Sequence, residues 1–296
     1  MLKNSLIKGV FLVGLGSISY GVLATFVKMA YQEGYSTAEV TTSQFILGMI
    51  GLLIINGFQK IKNKNKGLKA SRKDISQLML AGTSMGFTTI FYYLSVKYVP
   101  VSIGIVLLMQ TVWMSVILEA ILTKKIPSSK KIISVLIVLF GTLLATNLLT
   151  TTLNINWIGV GFGLLAAASF TTTMFTANSI ATSISSAQRS LYMLAGGAII
   201  VFSFATFTQT TSFHFDVFVK WGLILSLFGT IIPPILMNAG FPITGIGLGS
   251  IISAIELPTS VMMAYFLLNE QINWTQWLGI TLILFAIVIM NISKKA

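Results

Sequence analysis

The chain is patterned as long apolar stretches separated by short polar breaks. A bilayer is crossed by a helix of about twenty mostly apolar residues. Ten runs of that kind fall near 7–29, 38–56, 75–97, 101–122, 130–148, 157–177, 187–207, 217–238, 246–268 and 274–292. Two of them open on a helix-start signature: Ser36 with Glu39, and Ser71 with Asp74, both Ser-x-x-acid, which satisfies free backbone N–H groups. The first run follows Lys3 and Lys8 like a signal peptide, but it is too long and lacks a small-residue cleavage site, so it reads as a retained span. The pattern predicts an all-α polytopic membrane protein of ten transmembrane helices.

Composition agrees and narrows the reading. Of the 296 residues 55% are apolar and only 9% charged, with a mean hydropathy of +0.88. Soluble domains carry roughly 25% charged residues, so this chain cannot cover a water-facing surface. The net charge of +12 and pI near 9.9 raise the question of nucleic acid, and the placement of the charges answers it. With ten spans and a cytoplasmic N-terminus, sixteen of the nineteen basic residues, Arg189 included, fall on the cytoplasmic side, leaving Lys28, Lys97 and Lys220 on the other. That positive-inside bias puts both termini in the cytoplasm and makes nucleic acid an unneeded partner. The basic stretch Lys60 to Lys73 is also placed to meet anionic lipid headgroups.

Several chemistries drop out. There is no cysteine, hence no disulfide, thiol nucleophile or cysteine metal cluster. The single histidine, His214, has Asp216 beside it and no second ligand in its stretch. No phosphate-cradling Gly-Lys-Ser/Thr loop occurs, and Gly245, Gly247 and Gly249 lack the strand and spacing of a dinucleotide fingerprint. The spans hold no paired aspartates, Ser-Lys or Ser-His dyad, or His-Glu set. The expectation is a chain that is not an enzyme, with no catalytic residue, metal or cofactor.

The two halves, 1–149 and 150–296, resemble each other. Ile103 to Pro127 lies over Gly249 to Asn273, bringing Gln110 onto Glu256 and Ile126 onto Ile272, and Gly86 corresponds to Gly229. Five spans per copy is odd, so the second copy enters the membrane inverted, an architecture of alternating-access carriers. The phrase Ser253-Ala-Ile-Glu256-Leu-Pro258, followed by Leu268-Asn-Glu270 and Trp277-Leu-Gly279, together with this length and topology, resembles the EamA branch of the drug/metabolite transporter (DMT) superfamily. Asn269 stands where that family usually has Gly, Thr123-Lys124 where Gly-Glu is common, and Gln44 where an Arg is frequent. The resemblance implies a small-molecule carrier with a cavity bounded by spans 1, 3, 4, 6, 8 and 9.

Glu256 is the sharpest candidate for substrate binding. It sits about eleven residues from either end of its span, near the midplane, where a charge costs roughly 2.5–3.5 kcal/mol on insertion scales. Gly249, Ser253, Glu256 and Ser260 share one helical stripe. Two readings stand: a carboxyl that exchanges a proton against a cation, or a structural group beside the kink at Pro258. Gln110 is its expected symmetry mate, with Trp113 one turn on; Thr111, Ser115 and Glu119 share another face. Tyr20, Tyr92 and Tyr93 are candidates for an amphipathic pocket, although hydroxyls in membrane helices also bond back to their own backbone. The Thr-rich sixth span, and Pro233-Pro234 with Asn238 in the eighth, mark either a lined cavity or a packing kink. No Lys or Arg lies mid-span, which disfavours phosphorylated substrates.

The expectation is therefore a secondary active transporter, an exporter by resemblance, in the cytoplasmic membrane of a prokaryote. Its partners are a small neutral, zwitterionic or cationic metabolite, amino-acid-like or amine-like, and the lipid bilayer, with a proton as candidate coupling ion and a monomer or weak dimer as assembly. An uncoupled channel or uniporter and a flippase-like membrane protein remain the alternatives.

Overall fold

A computed structural model describes residues 2–62, 70–99, 101–146, 156–269 and 271–291. Among these residues every regular element is helical, and seven helical runs are long and apolar enough to cross a membrane. In chain order the elements are α1 (Leu2–Gln32), α2 (Thr37–Lys62), α3 (Arg72–Tyr98), α4 (Val101–Leu108), α5 (Thr111–Thr123), α6 (Ser129–Ala145), α7 (Trp157–Ser179) and α8 (Ser186–Thr208). There follow a π-helical turn Phe218–Gly222, α9 (Leu223–Ser226), a second π-helical turn Leu227–Ile231, α10 (Ile232–Thr244), α11 (Ile246–Ser253), α12 (Glu256–Leu268) and α13 (Trp274–Asn291).

Local chemistry sets the starts. Ser36 Oγ accepts from the Glu39 N–H at 3.2 Å while Glu39 Oε2 accepts from the Ser36 N–H at 2.7 Å, and Ser71 with Asp74 repeats the device at 3.1 and 2.9 Å. Ser185 caps α8 in the same way, its Oγ accepting from the Gln188 N–H. Between helices the hydrophobic effect is weak in lipid, so close packing of small residues holds the bundle. Gly82 and Gly86 on α3 meet Met193 and Gly197 on α8, and Gly141 on α6 meets Gly279 on α13, at distances a Cβ would not tolerate. Large apolar side chains such as Phe58, Leu80, Phe140 and Phe285 stay exposed on the perimeter, the surface lipid would cover.

Two rods are broken, and the breaks match. One constant offset carries Val101, Leu108, Thr111 and Thr123, the ends of α4 and α5, onto Ile246, Ser253, Glu256 and Leu268, the ends of α11 and α12. The same offset carries Lys124 (φ 53°, ψ 32°) onto Asn269 (φ 54°, ψ 31°), each in the left-handed conformation that ends its helix. It carries Gln110 (φ −60°, ψ −18°) onto Ile255 (φ −62°, ψ −18°). The alignment expected from sequence was one residue out: Thr111, and not Gln110, occupies the place of Glu256. Apolar helices align almost equally well at neighbouring offsets, and only backbone geometry separates them.

Candidate functional site

Glu256 is the first residue of α12, directly after the break at Ala254–Ile255. Two residues on, Pro258 has no N–H to give, and the turn is closed by Leu257 N–H to Ala254 O at 3.2 Å and Thr259 N–H to Ile255 O at 3.1 Å. The break delivers the Glu256 side chain into a cavity of about 550 Å³. Tyr20, Leu23 and Lys28 of α1 line it, with Gln44 and Phe45 of α2, Thr88, Thr89, Tyr92 and Tyr93 of α3, and Leu108 of α4. Phe170 and Thr173 of α7, Gly229 and Thr230 of the second π-helical turn, and Leu257 and Ser260 of α12 line it too. The cavity reaches Tyr31, Ala145, Thr146, Gln271, Ile272 and Gln276, at the ends of α1 and α6 and the turn between α12 and α13.

Some polar groups lining the cavity have no partner among the described residues. Glu256 Oε2 is buried without a hydrogen bond, and among the described residues no hydrogen bond reaches the Glu256 carboxyl or the Tyr20 and Tyr92 hydroxyls. A buried carboxyl in that state carries the desolvation cost of a polar group with no return inside the protein. Tyr20 stands edge-on to Phe170 with ring centroids 6.3 Å apart, so an aromatic wall faces the carboxyl. Among the described residues no three His, Cys, Asp or Glu gather to hold a metal ion.

Of the residues singled out from sequence, Glu256, Tyr20, Tyr92, Tyr93 and Ser260 come together in this cavity. Gln110, Trp113, Ser253 and Asn238 do not line it. At the first break the Gln110 N–H bonds to Leu107 O at 3.1 Å instead of reaching back a full turn. The carbonyl of Val106 is thereby released, and the Gln110 side chain takes it, Nε2 donating at 2.9 Å, while Trp113 Nε1 donates to Gln110 Oε1 at 2.8 Å. Both side chains are committed to mending a broken helix. Ser253 Oγ donates to Gly249 O at 3.0 Å, and Asn238 Nδ2 donates to Ser190 Oγ at 2.9 Å.

Asn238 belongs to another assembly. Arg189, 1% exposed, donates from Nε to Ile180 O at 3.0 Å, from Nη2 to Thr176 O and Ala177 O at 3.0 and 2.6 Å, and from Nη1 to Asn238 O at 2.6 Å. Arg189, counted from sequence only as a cytoplasmic-side cation, is buried. It is a buried cap on the carbonyl end of α7, where a cation suits both the orphan carbonyls and the helix dipole. At the same end as α11's start, Lys131 Nζ pairs with Glu119 Oε2 beside Gly247. At the start of α2, Glu39 accepts from the His214 N–H at 2.7 Å with His214 Nδ1 at 2.8 Å, and the Tyr35 hydroxyl donates to Asp216 at 2.6 Å. The Tyr35 hydroxyl, with Lys220, holds the Asp216 carboxyl below its ordinary range. His214 therefore ties the α1–α2 turn to the segment before the first π-helical turn.

The profile of the EamA-like transporter family matches residues 7–147 and again 157–292. The chain belongs to the EamA-like transporter family. It is a multi-pass membrane protein of a transporter family, and the double match follows the paired breaks seen in the backbone. A solved crystal structure superposes with a TM-score of 0.77 at 12% identity, over 96% of this chain and 98% of that one, a likeness of fold. A search of curated proteins found no match.

Sequence reading missed Gln44, Lys28, Gly229 and Thr230 as lining residues. Gln44 alone carried a signal, an amide in the middle of an apolar run. Gly229 and Thr230 reach the cavity through a π-helical turn, which no residue pattern announces.

Proposed function

We propose that this EamA-like protein is a secondary active transporter of small organic cations or zwitterions, with Glu256 as the group that binds the cationic end. The observation that carries the reading is a carboxyl without a hydrogen-bond partner among the described residues, facing a cavity walled by tyrosines. A carboxylate supplies the counter-charge for an ammonium group, and aromatic faces attract the same cation. The absence of any mid-span Lys or Arg among the lining residues other than Lys28 near the rim supports the preference for cations over phosphates.

The proposed topology is ten spans in two inverted five-helix halves, 1–149 and 150–296, with both termini in the cytoplasm of a prokaryotic cell. On that topology α1 runs outward, and the cavity, which reaches its Tyr31 end, faces outside. We take the opposite, cytoplasmic end as the closed one, with the Glu119–Lys131 pair and the Arg189 cap at helix ends there and outside the cavity lining, which supports a carrier over an open channel. Transport then alternates two states: Glu256 gives up a proton as it takes the ammonium group, and regains one after release on the other side. Export follows when the proton gradient points inward. The protein works as a monomer or weak dimer.

The test is counterflow in proteoliposomes with labelled lysine, arginine and putrescine. Internal unlabelled substrate is expected to accelerate entry of label saturably in the wild type, and Glu256→Gln and Glu256→Ala to lower that acceleration at least tenfold. Unchanged counterflow in both variants overturns the role of Glu256, and label entry indifferent to internal substrate overturns the carrier.

A further inference from the structure

The cavity holds a second side chain that no described group satisfies. Gln44, in the middle of α2, is only 8% exposed and lines the cavity, yet beyond the helix's own ladder its hydrogen bond among the described residues uses the backbone: Thr230 Oγ1 donates to Gln44 O at 3.1 Å. Its amide, two donors and an acceptor, makes no hydrogen bond among the described residues. Space for it is kept by Gly229, where a Cβ would collide with Gln44 Nε2 and with Leu23. The π-helical turn Leu227–Ile231 sets Gly229 there, and Ser19 Oγ fixes that turn by donating to Phe228 O at 3.1 Å.

Gln44 and Glu256 lie at one depth. Gly229, against which Gln44 packs, meets Leu23 of α1, while the Glu256 backbone meets Gly21 of α1. Two residues of helix rise about 3 Å, so α1 carries both groups at nearly the same level. Gln44 comes from the first half and Glu256 from the second. A molecule bound by both would touch both moving parts.

We infer that Gln44 is a substrate-binding residue that selects ligands bearing, besides the ammonium group held by Glu256, a carbonyl-type oxygen of a carboxylate or carboxamide, which accepts from Gln44 Nε2. This deepens the transporter reading and rests on it for the cation. An amine without such an oxygen binds through Glu256 and leaves the amide unmet. A ligand with both groups meets each end.

The experiment measures binding to the full-length detergent-solubilised protein. The probes are hexylamine, the amino amides glycinamide, 4-aminobutanamide and 6-aminohexanamide, and the three corresponding amino acids. The best member of the amide or acid series is expected to bind about tenfold more tightly than hexylamine, the gain of one or two well-made hydrogen bonds. Gln44→Leu is expected to remove that advantage while keeping hexylamine binding within twofold, which also shows that the variant is folded. Gly229→Ala, whose methyl group displaces the amide, is expected to do the same. The better series, acid or amide, identifies the oxygen. The inference is overturned if no member of either series outbinds hexylamine, or if Gln44→Leu leaves the advantage intact. Glu256→Gln reports separately on the underlying reading, since it is expected to weaken hexylamine and every other probe alike.

Discussion

The break between α4 and α5 and the break between α11 and α12 share a backbone and differ in what their side chains do. At the first, Gln110 and Trp113 are used up repairing the helix, and Thr111, 1% exposed, shares a hydrogen bond with Thr171 Oγ1 at 2.8 Å. At the second, Ile255 stands where Gln110 would, Pro258 where Trp113 would, and Glu256 where Thr111 would, with its carboxyl unpartnered toward the cavity. One break is a closed joint, the other opens onto the cavity. A fold with paired halves can thus keep the backbone geometry of both breaks and give their side chains different surroundings.

The largest expected effect separates the two. Glu256→Gln is expected to lower counterflow of lysine, arginine and putrescine by roughly 10- to 150-fold, the worth of a hydrogen bond to a charged group. Thr111→Val is expected to stay within twofold. The swap Thr111→Glu with Glu256→Thr is expected not to restore transport, because position 111 faces Thr171 and Met174 and not the cavity. Recovery in the swap would show that the two breaks are interchangeable and end the comparison.

A second contrast lies at the helix starts. Arg189 follows the Ser185 cap of α8 at the spacing with which Val40 follows the Ser36 cap of α2, so only one of two similar turns carries a buried staple. Arg189→Lys keeps the charge and loses the fork that reaches four carbonyls. It is expected to cost about 2 kcal/mol in reversible unfolding, with orphaned carbonyls as the cause. A cost near zero would mean that water or lipid replaces the fork. Gln110→Leu, which frees Val106 O and the Trp113 N–H, is expected to cost about 1 kcal/mol and to leave probe affinity unchanged. A loss of affinity would return Gln110 to the binding site.

These contrasts also explain what could be read in advance. The helical runs, the Ser36–Glu39 and Ser71–Asp74 caps and the choice of Glu256 as a candidate follow from composition, local spacing and the cost of burying a charge. The role of Gln110 does not, because an amide that mends a break and an amide that binds substrate look alike until the hydrogen bonds are seen. Gln44 is the converse, a similar amide that makes no side-chain hydrogen bond among the described residues, and only the structure sets it apart. The capping role of Arg189 is hidden for the same reason: its four carbonyl partners come from α7, the residue after it, and α10, far apart in sequence.

The smallest expected effect concerns the two ends of the cavity. Glu119 of α5 pairs with Lys131 of α6 at the end taken as closed. The offset that matches the two breaks carries Glu119 onto Ala264 and Lys131 onto Gln276, and both of these line the cavity where it is open. The ion pair is about one-fifth exposed on each side chain, 22% and 21%, so its worth is discounted to about 0.5 kcal/mol. That still tilts a two-state equilibrium about twofold. The chain has no cysteine, so a single Ser260→Cys reports access to the cavity from either side of the membrane. Glu119→Gln is expected to raise labelling from the closed side about twofold, and Ala264→Glu with Gln276→Lys, which builds the pair at the open end, to lower labelling there by a similar factor. Equal labelling in all three proteins would mean that the pair is ornamental to the fold and that the closed end is held by packing and Arg189 alone.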